Sequence, residues 1–141
     1  MITLLKNCDL YARQSCGLND ILIAGEKIEA VAPAGSRFSG ISSSPEVEVR
    51  DLKGKKVTPG LIDIHVHVTG GGGEQGFASR VPESRMEDIA ATGVTTVLGL
   101  LGTDGVTRSL ENLYAKVMAL NEEGISAYML TGSYALPSTT L

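Results

Sequence analysis

The chain has 141 residues, 43% of them apolar, which is enough to bury a hydrophobic core. Its formal charge of −4 argues against a general nucleic-acid binder, a class that is usually basic. No segment approaches the ~18 uncharged apolar residues of a membrane span, and no signal peptide is visible. Cys8 and Cys16, the only cysteines, are expected to be reduced, with a disulfide as the alternative. We therefore expect a cytoplasmic globular protein without nucleic-acid or membrane partners.

The first 55 residues have the pattern of a small β-domain. Short alternating apolar segments predict strands at 1–5, 20–24, 27–31 and 47–52. Turn-forming residues predict tight turns at 25–27 and 53–55, and a longer loop rich in Gly, Ser and Pro at 33–45. We interpret residues 1–55 as a small β-sandwich-like domain.

From residue 56 onward, strand patterns alternate with helix patterns. Apolar runs predict buried strands at 60–68, 95–101 and 126–131. Apolar residues at helical spacing predict helices at 82–92 and 107–123, with Gly93 and Gly124 as stops. This alternation is typical of parallel βαβ units. Three strands and two helices are too few for a closed barrel, so we expect the chain to be the front part of something longer.

The chain's two histidines, His65 and His67, lie two residues apart on the first of these strands. Residues at that spacing point to the same face of a strand, so the two imidazoles could be neighbouring ligands of zinc. A chance His-x-His pair with a packing role is the alternative. Glycines at 70–73 and then Glu74 follow the strand. Such a run either lets the backbone approach a ligand closely or forms a flexible spacer.

Five segments carry a family resemblance. The segment 57–67, VTPGLIDIHVH, resembles the opening metal motif of the amidohydrolase superfamily. Within it, the isoaspartyl (β-aspartyl) dipeptidase family is the most similar, through HVTGGGGE at 67–74, GLLGTD at 99–104, ALNEEGISA at 119–127 and MLTGSY at 129–134. The resemblance implies an α/β fold, with a small all-β domain before a partial (β/α)8 barrel of about three strands and two helices at 56–141.

The resemblance also implies an activity. It predicts a metal-dependent dipeptidase, a metalloprotease that hydrolyses the β-linked amide of isoaspartyl dipeptides by attack of a metal-bound hydroxide. The complete site in that family holds two zinc ions, with cobalt or manganese as alternatives, and its enzymes form large homo-oligomers. The family's chains are near three times longer, and their remaining ligands match no part of this sequence. We therefore expect the 141 residues alone to be inactive.

Five residues receive roles from the resemblance. His65 and His67 would bind metal, Glu74 would hold the substrate's α-amino group, and Thr103 would contact substrate. Tyr134 would bind substrate and act catalytically, by donating a hydrogen bond to the carbonyl oxygen as charge develops there. The alternatives are a solvated loop carboxylate for Glu74, a turn or helix-cap role for Thr103, and a packing role for Tyr134.

Two other functions stay open at this point. One is an amidohydrolase of the hydantoinase or dihydroorotase type, which acts on cyclic amides. The other is a non-catalytic fragment that associates through unpaired strand edges. Glu74 separates the first from the dipeptidase, because the cyclic substrates carry no free α-amino group.

Overall fold

The computed structural model describes all residues, Met1–Leu141, and divides into two compact units, Met1–Pro59 and Gly60–Leu141. The α/β class is confirmed, with a small β-unit preceding the start of a barrel. The sequence placed the boundary after residue 55, whereas the structure divides the chain after Pro59.

The first unit is a five-stranded mixed sheet. Its strands are β1 (Ile2–Tyr11), β2 (Ser15–Ala24), β3 (Lys27–Pro33), β4 (Val47–Asp51) and β5 (Lys56–Val57). The order is β3-β2-β1-β4, and β5 also pairs with β1. Antiparallel pairing joins β1 to β2 and β2 to β3, while β4 and β5 run parallel to β1. Leu4, Ala32 and Phe38 form its buried core.

Strands β1 and β2 are longer than the sequence predicts. The reason is a bulge in the β1–β2 ladder, which obscures the alternating pattern of the strands. The register shifts between Leu5 and Cys8, and Asn7 within the shift has φ +54°. The buried carboxylate of Asp20 accepts the Asn7 backbone N–H at 2.9 Å and stabilises this conformation. A bulge interrupts the alternation of apolar residues, so the pattern beyond residue 5 did not indicate a strand.

The second unit is a three-stranded parallel sheet with two helices. Its elements are β6 (Leu61–Val66), α1 (Met86–Ala91), β7 (Val94–Gly99), α2 (Leu110–Glu123) and β8 (Ser126–Met129). The strand order β6-β7-β8 and the parallel pairings confirm the predicted βαβ arrangement. The core contains four apolar residues of α2 and strand residues such as Val97 and Ala127. Neither helix is long and apolar enough to cross a membrane.

Both helices begin later than the sequence predicts. The backbone N–H groups of Val81 and Ser84 donate to Gly71 and Val68, so the residues before Met86 follow an extended path. Helix α2 begins after Ser109, whose hydroxyl accepts the Asn112 backbone N–H at 3.2 Å as an N-cap. These starts lengthen the segments that follow β6 and β7.

The candidate site lies where these segments meet. In a parallel sheet the carboxyl ends of the strands share one edge, and ligands bind there in barrel enzymes. The connection from β6 to α1 contains the glycine run and Glu74, the connection from β7 to α2 contains Thr103, and Tyr134 follows β8. The sheet topology therefore collects the predicted site residues at one edge.

Candidate functional site

The histidine pair stands at the end of β6. The ring centroids of His65 and His67 are 5.3 Å apart, at an interplanar angle of 83°. His65 is exposed, and its backbone N–H donates to the Asp63 carboxylate at 3.0 Å. His67 is half-buried, and its Nδ1 lies 3.2 Å from the carbonyl oxygen of Leu100. Because a carbonyl only accepts, this bond requires the Nδ1–H tautomer and leaves the Nε2 lone pair free.

Two glycines flank the His67 ring. A Cβ atom added at Gly71 would lie 3.3 Å from His67 Cδ2, and one at Gly102 would lie 3.4 Å from Cε1. Both distances are tighter than most real Cβ contacts. The absence of side chains at these positions therefore lets the connections after β6 and β7 close on the imidazole.

The donor set fits part of a metal site. Imidazole nitrogens suit zinc, and a backbone carbonyl behind His67 is the usual partner that fixes a metal-binding imidazole. Among the 141 residues, no group of three or more His, Cys, Asp or Glu side chains comes together to hold a metal ion. His65 and His67 thus fit as two ligands, and a catalytic zinc site would need at least one further ligand. Their metal-binding role stays a prediction.

Glu74 and Thr103 are joined by a hydrogen bond. The Thr103 hydroxyl donates to Glu74 Oε1 at 2.9 Å, although 29 residues separate them in sequence. The pKa of Glu74 lies below its ordinary value, chiefly because its own backbone N–H donates to the carboxylate, then because the Thr103 hydroxyl donates to it. Glu74 is therefore an anion at neutral pH, as an ammonium-binding group must be.

The pair opens onto a cavity of about 400 Å³. Its lining combines these polar groups with two apolar side chains, and consists of Gly73, Glu74, Phe77, Thr103, Asp104 and Val106. A carboxylate beside apolar walls suits a ligand that carries both a cationic group and an apolar part.

Tyr134 makes no hydrogen bond to the other candidates. Its side chain is 76% exposed, and its hydroxyl makes no hydrogen bond within the chain. The segment around it is ordered by neighbouring residues: the Thr139 backbone N–H donates to the Ser133 hydroxyl at 3.0 Å, and the Ser138 hydroxyl donates to the Ser133 carbonyl. The structure thus places Tyr134 after β8 with a free hydroxyl, and its catalytic role stays a prediction.

The glycine loop, residues 69–81, is held by backbone hydrogen bonds. Val81 N–H donates to the Gly71 carbonyl at 2.8 Å, and Gly72 forms an antiparallel bridge with Arg80. At Gly70, with φ +89°, an added Cβ would lie 2.9 Å from Arg108 Nη2. These contacts argue against the flexible-spacer interpretation of the glycine run.

A charged cluster, not evident from the sequence, contacts this loop. Arg108 is 6% exposed, and Asp104 lies 3.5 Å from its Nη1 and 3.3 Å from Nε of Arg80. The pKa of Asp104 lies below its ordinary value, first because the Thr107 hydroxyl and backbone N–H donate to it. The only signal in the sequence is opposite charge at positions 104 and 108, which is common on protein surfaces.

Comparisons with known proteins agree with the geometry. A family model described as "Amidohydrolase family" matches residues 48–119. A crystal structure of the β-aspartyl dipeptidase of Fervidobacterium islandicum AW-1, in complex with β-Asp-Leu, superposes with a TM-score of 0.88 at 45% identity, over 100% of this chain and 36% of that one. The dihydroorotase of Lactobacillus leichmannii is 36% identical over 124 residues, which are 86% of this chain and 26% of that protein.

A more distant structure supports the fold alone. The dihydropyrimidinase of Brevibacillus agri NCHU1002 has a TM-score of 0.59 at 19% identity, over 96% of this chain and 29% of its own. In these matches the chain spans about a quarter to a third of the length of its relatives.

Proposed function

The chain belongs to the amidohydrolase family, and from that membership we propose that the protein carrying it is a metal-dependent dipeptidase acting on isoaspartyl dipeptides. The reaction is hydrolysis of the β-linked amide. The similarity to a β-aspartyl dipeptidase over all 141 residues supports the choice within the family. The observation that carries the proposal is the ionised Glu74 carboxylate, which accepts the Thr103 hydroxyl from the segment after the next strand.

His65 and His67 would hold a metal ion through their ring nitrogens. Bound there, zinc, cobalt or manganese would supply Lewis-acid polarisation of the scissile carbonyl and would lower the pKa of water. His67 is prepared for this role, because the Leu100 carbonyl fixes its tautomer and Gly71 and Gly102 restrict its ring. His65 is more accessible and has only a backbone hydrogen bond to Asp63.

Glu74 would bind the α-amino group of the dipeptide. Oε1 already accepts the Thr103 hydroxyl, which leaves Oε2 to accept from an ammonium group. Hydrogen bonds between ionised partners are about twice as strong as neutral ones. The bond to Thr103 also restricts the carboxylate rotamer, so less side-chain entropy is lost on binding.

Tyr134 would donate its phenolic hydrogen to the substrate carbonyl oxygen. The hydroxyl is available, since it has no partner within the chain and the side chain is exposed. A donor at that position stabilises the charge that develops in the transition state, and removal of such a donor typically lowers kcat by ~10²–10³.

Hydrolysis of a cyclic amide is the second candidate function. The 36% identity to a dihydroorotase over 124 residues favours it. The two activities differ in what Glu74 would do, because a cyclic amide offers no free α-amino group to a carboxylate.

The test compares three substrates in the purified intact protein loaded with zinc. They are β-Asp-Leu, N-succinyl-leucine (the same molecule without its α-amino group) and dihydroorotate. Glu74→Gln should lower kcat/KM for β-Asp-Leu by about 10–150-fold, which corresponds to a charged hydrogen bond of ~1.5–3 kcal/mol. It should change hydrolysis of N-succinyl-leucine little. Glu122→Gln, on the exposed end of α2, is the matched control.

Two results would contradict the proposal. Equal losses on β-Asp-Leu and N-succinyl-leucine would show that Glu74 does not recognise the amino group. Turnover of dihydroorotate without turnover of β-Asp-Leu would transfer the assignment to the cyclic-amide hydrolases.

A further inference from the structure

Arg108 is a buried cation in the connection between β7 and α2. Its side chain is 6% exposed, and it lies two residues before the first residue of α2. A buried guanidinium is costly unless its charge and donors are satisfied. The groups that satisfy Arg108 therefore indicate what it does in the fold.

Two of these groups are the ends of the glycine loop. Nε donates to the Thr69 carbonyl at 3.0 Å, and Nη2 donates to the Val81 carbonyl at 2.8 Å. Thr69 lies 39 residues before Arg108 and Val81 lies 27 before it, and Glu74 lies between them. The guanidinium thus closes the loop that carries the candidate amine-binding carboxylate.

The third group lies next to Thr103. Nη1 of Arg108 is 3.5 Å from Asp104 Oδ2, and the same oxygen is 3.3 Å from Arg80 Nε. Arg80 belongs to the glycine loop and Asp104 to the connection after β7. Arg108 and Asp104 therefore join the two segments that bring Glu74 and Thr103 together.

A lysine could not make the same contacts. The guanidinium is planar and directs its donors along fixed, diverging directions, whereas an ammonium is a single compact group. Here three nitrogens of one side chain contact three separate acceptors: the backbone carbonyls of Thr69 and Val81 and the side-chain carboxylate of Asp104. Arg108→Lys retains the charge and most of the volume but loses this geometry.

We propose that Arg108 is a positioning residue for amine recognition: it fixes the glycine loop against the Thr103 segment so that Glu74 faces the ammonium group of the substrate. The assignment of the ammonium rests on the proposed function. The fixing of the loop does not, because it follows from contacts within the chain.

Two measurements on the intact protein test this proposal. The first is hydrogen–deuterium exchange of the amides at 70–81, which requires no activity. Arg108→Lys should accelerate their exchange, whereas Arg85→Lys, an exposed arginine paired with Asp88 on α1, should leave it unchanged. Should Arg108→Lys not fold, Asp104→Asn removes one partner of the guanidinium while its two carbonyl bonds remain, and it should accelerate the same amides.

The second measurement is the preference for β-Asp-Leu over N-succinyl-leucine, expressed as a ratio of kcat/KM values. Misplacement of a binding group by about 1 Å costs up to ~100-fold, so Arg108→Lys should reduce the preference by about 10–100-fold, mainly through KM. In a Glu74→Gln background the same substitution should alter the preference less than about twofold, because the group on which it acts is already removed.

Each contrary outcome has a distinct meaning. Unchanged exchange at 70–81 in Arg108→Lys would overturn the positioning of the loop. Faster exchange with an unchanged substrate preference would overturn the role in amine recognition and leave Arg108 as a purely structural residue. A wild-type protein without activity on β-Asp-Leu would overturn the proposed function, while the exchange experiment would still decide whether Arg108 fixes the loop.

Discussion

Gly70→Ala tests whether close approach of the backbone, rather than flexibility, explains the glycine loop. Gly70 is buried and has φ +89°. A Cβ there would overlap the Val81 carbonyl oxygen and would lie 2.9 Å from both Arg108 Nη2 and the Pro82 carbonyl carbon. The Val81 carbonyl would have to move, and it is the acceptor of an Arg108 hydrogen bond.

The magnitude follows from two contributions. A positive φ costs a non-glycine residue roughly 1–2 kcal/mol. Loss of a hydrogen bond from the charged guanidinium adds about 1.5–3 kcal/mol. Gly70→Ala should therefore lower the free energy of unfolding of the second unit by about 2.5–5 kcal/mol. Gly93→Ala is the matched control, because Gly93 has φ +81° but no atom within 4 Å of an added Cβ. It should cost only about 1–2 kcal/mol.

The assay is urea-dependent hydrogen exchange, read by mass spectrometry on peptides from α2, whose apolar face lies in the core of this unit. Alanine reduces the conformational entropy of the unfolded chain equally at both positions, so this effect cancels when the stabilities of the two variants are compared. A Gly70→Ala variant no less stable than Gly93→Ala would refute the argument, since only the backbone contacts distinguish the two sites.

Three further predictions concern the metal, the pH dependence and the packing of α2. His67→Ala should weaken zinc binding at least about tenfold in isothermal titration calorimetry, and equal affinity would exclude His67 as a ligand. The pKa of Asp104 is lowered from its ordinary 3.8, first by the Thr107 hydroxyl. The ionised carboxylate therefore stabilises the fold fully above pH 3.8, and this stabilisation is lost as the pH falls through the lower pKa of the folded state. The Tm of the wild type should accordingly fall more steeply below pH ~4 than that of Asp104→Asn, and parallel curves would contradict this. Asn121→Ala should lower the free energy of unfolding, measured by urea denaturation, by about 2–3 kcal/mol. The Asn121 amide exchanges hydrogen bonds of 3.0 and 2.8 Å with the Ala127 backbone and donates a third, of 2.9 Å, to the Val117 carbonyl. A loss below ~1 kcal/mol would be inconsistent with these bonds.

Elements with regular periodicity could be predicted from sequence. The α2 pattern of Leu110, Leu113, Val117 and Leu120 is local, and all four side chains are buried as expected. Predictions were weaker where a distant group sets the conformation. Strand β5 has only two residues, Lys56–Val57, and exists because β1 offers it a partner. The first residue of α1 depends on hydrogen bonds to the glycine loop rather than on helix propensity.

The candidate site divides in the same way. The sequence by itself determined that His65 and His67 stand side by side, because two residues on one strand share a face whatever the surrounding fold. Only the tertiary structure decided that Glu74 meets Thr103 and that Arg108 closes the glycine loop that carries Glu74. Those contacts join residues 27 to 39 positions apart. They depend on the strand order, on the path of the loops and on the close approach that glycines permit. Local periodicity encodes none of these, so the histidine pair could be recognised in the sequence, whereas the arginine that holds the glycine loop could not.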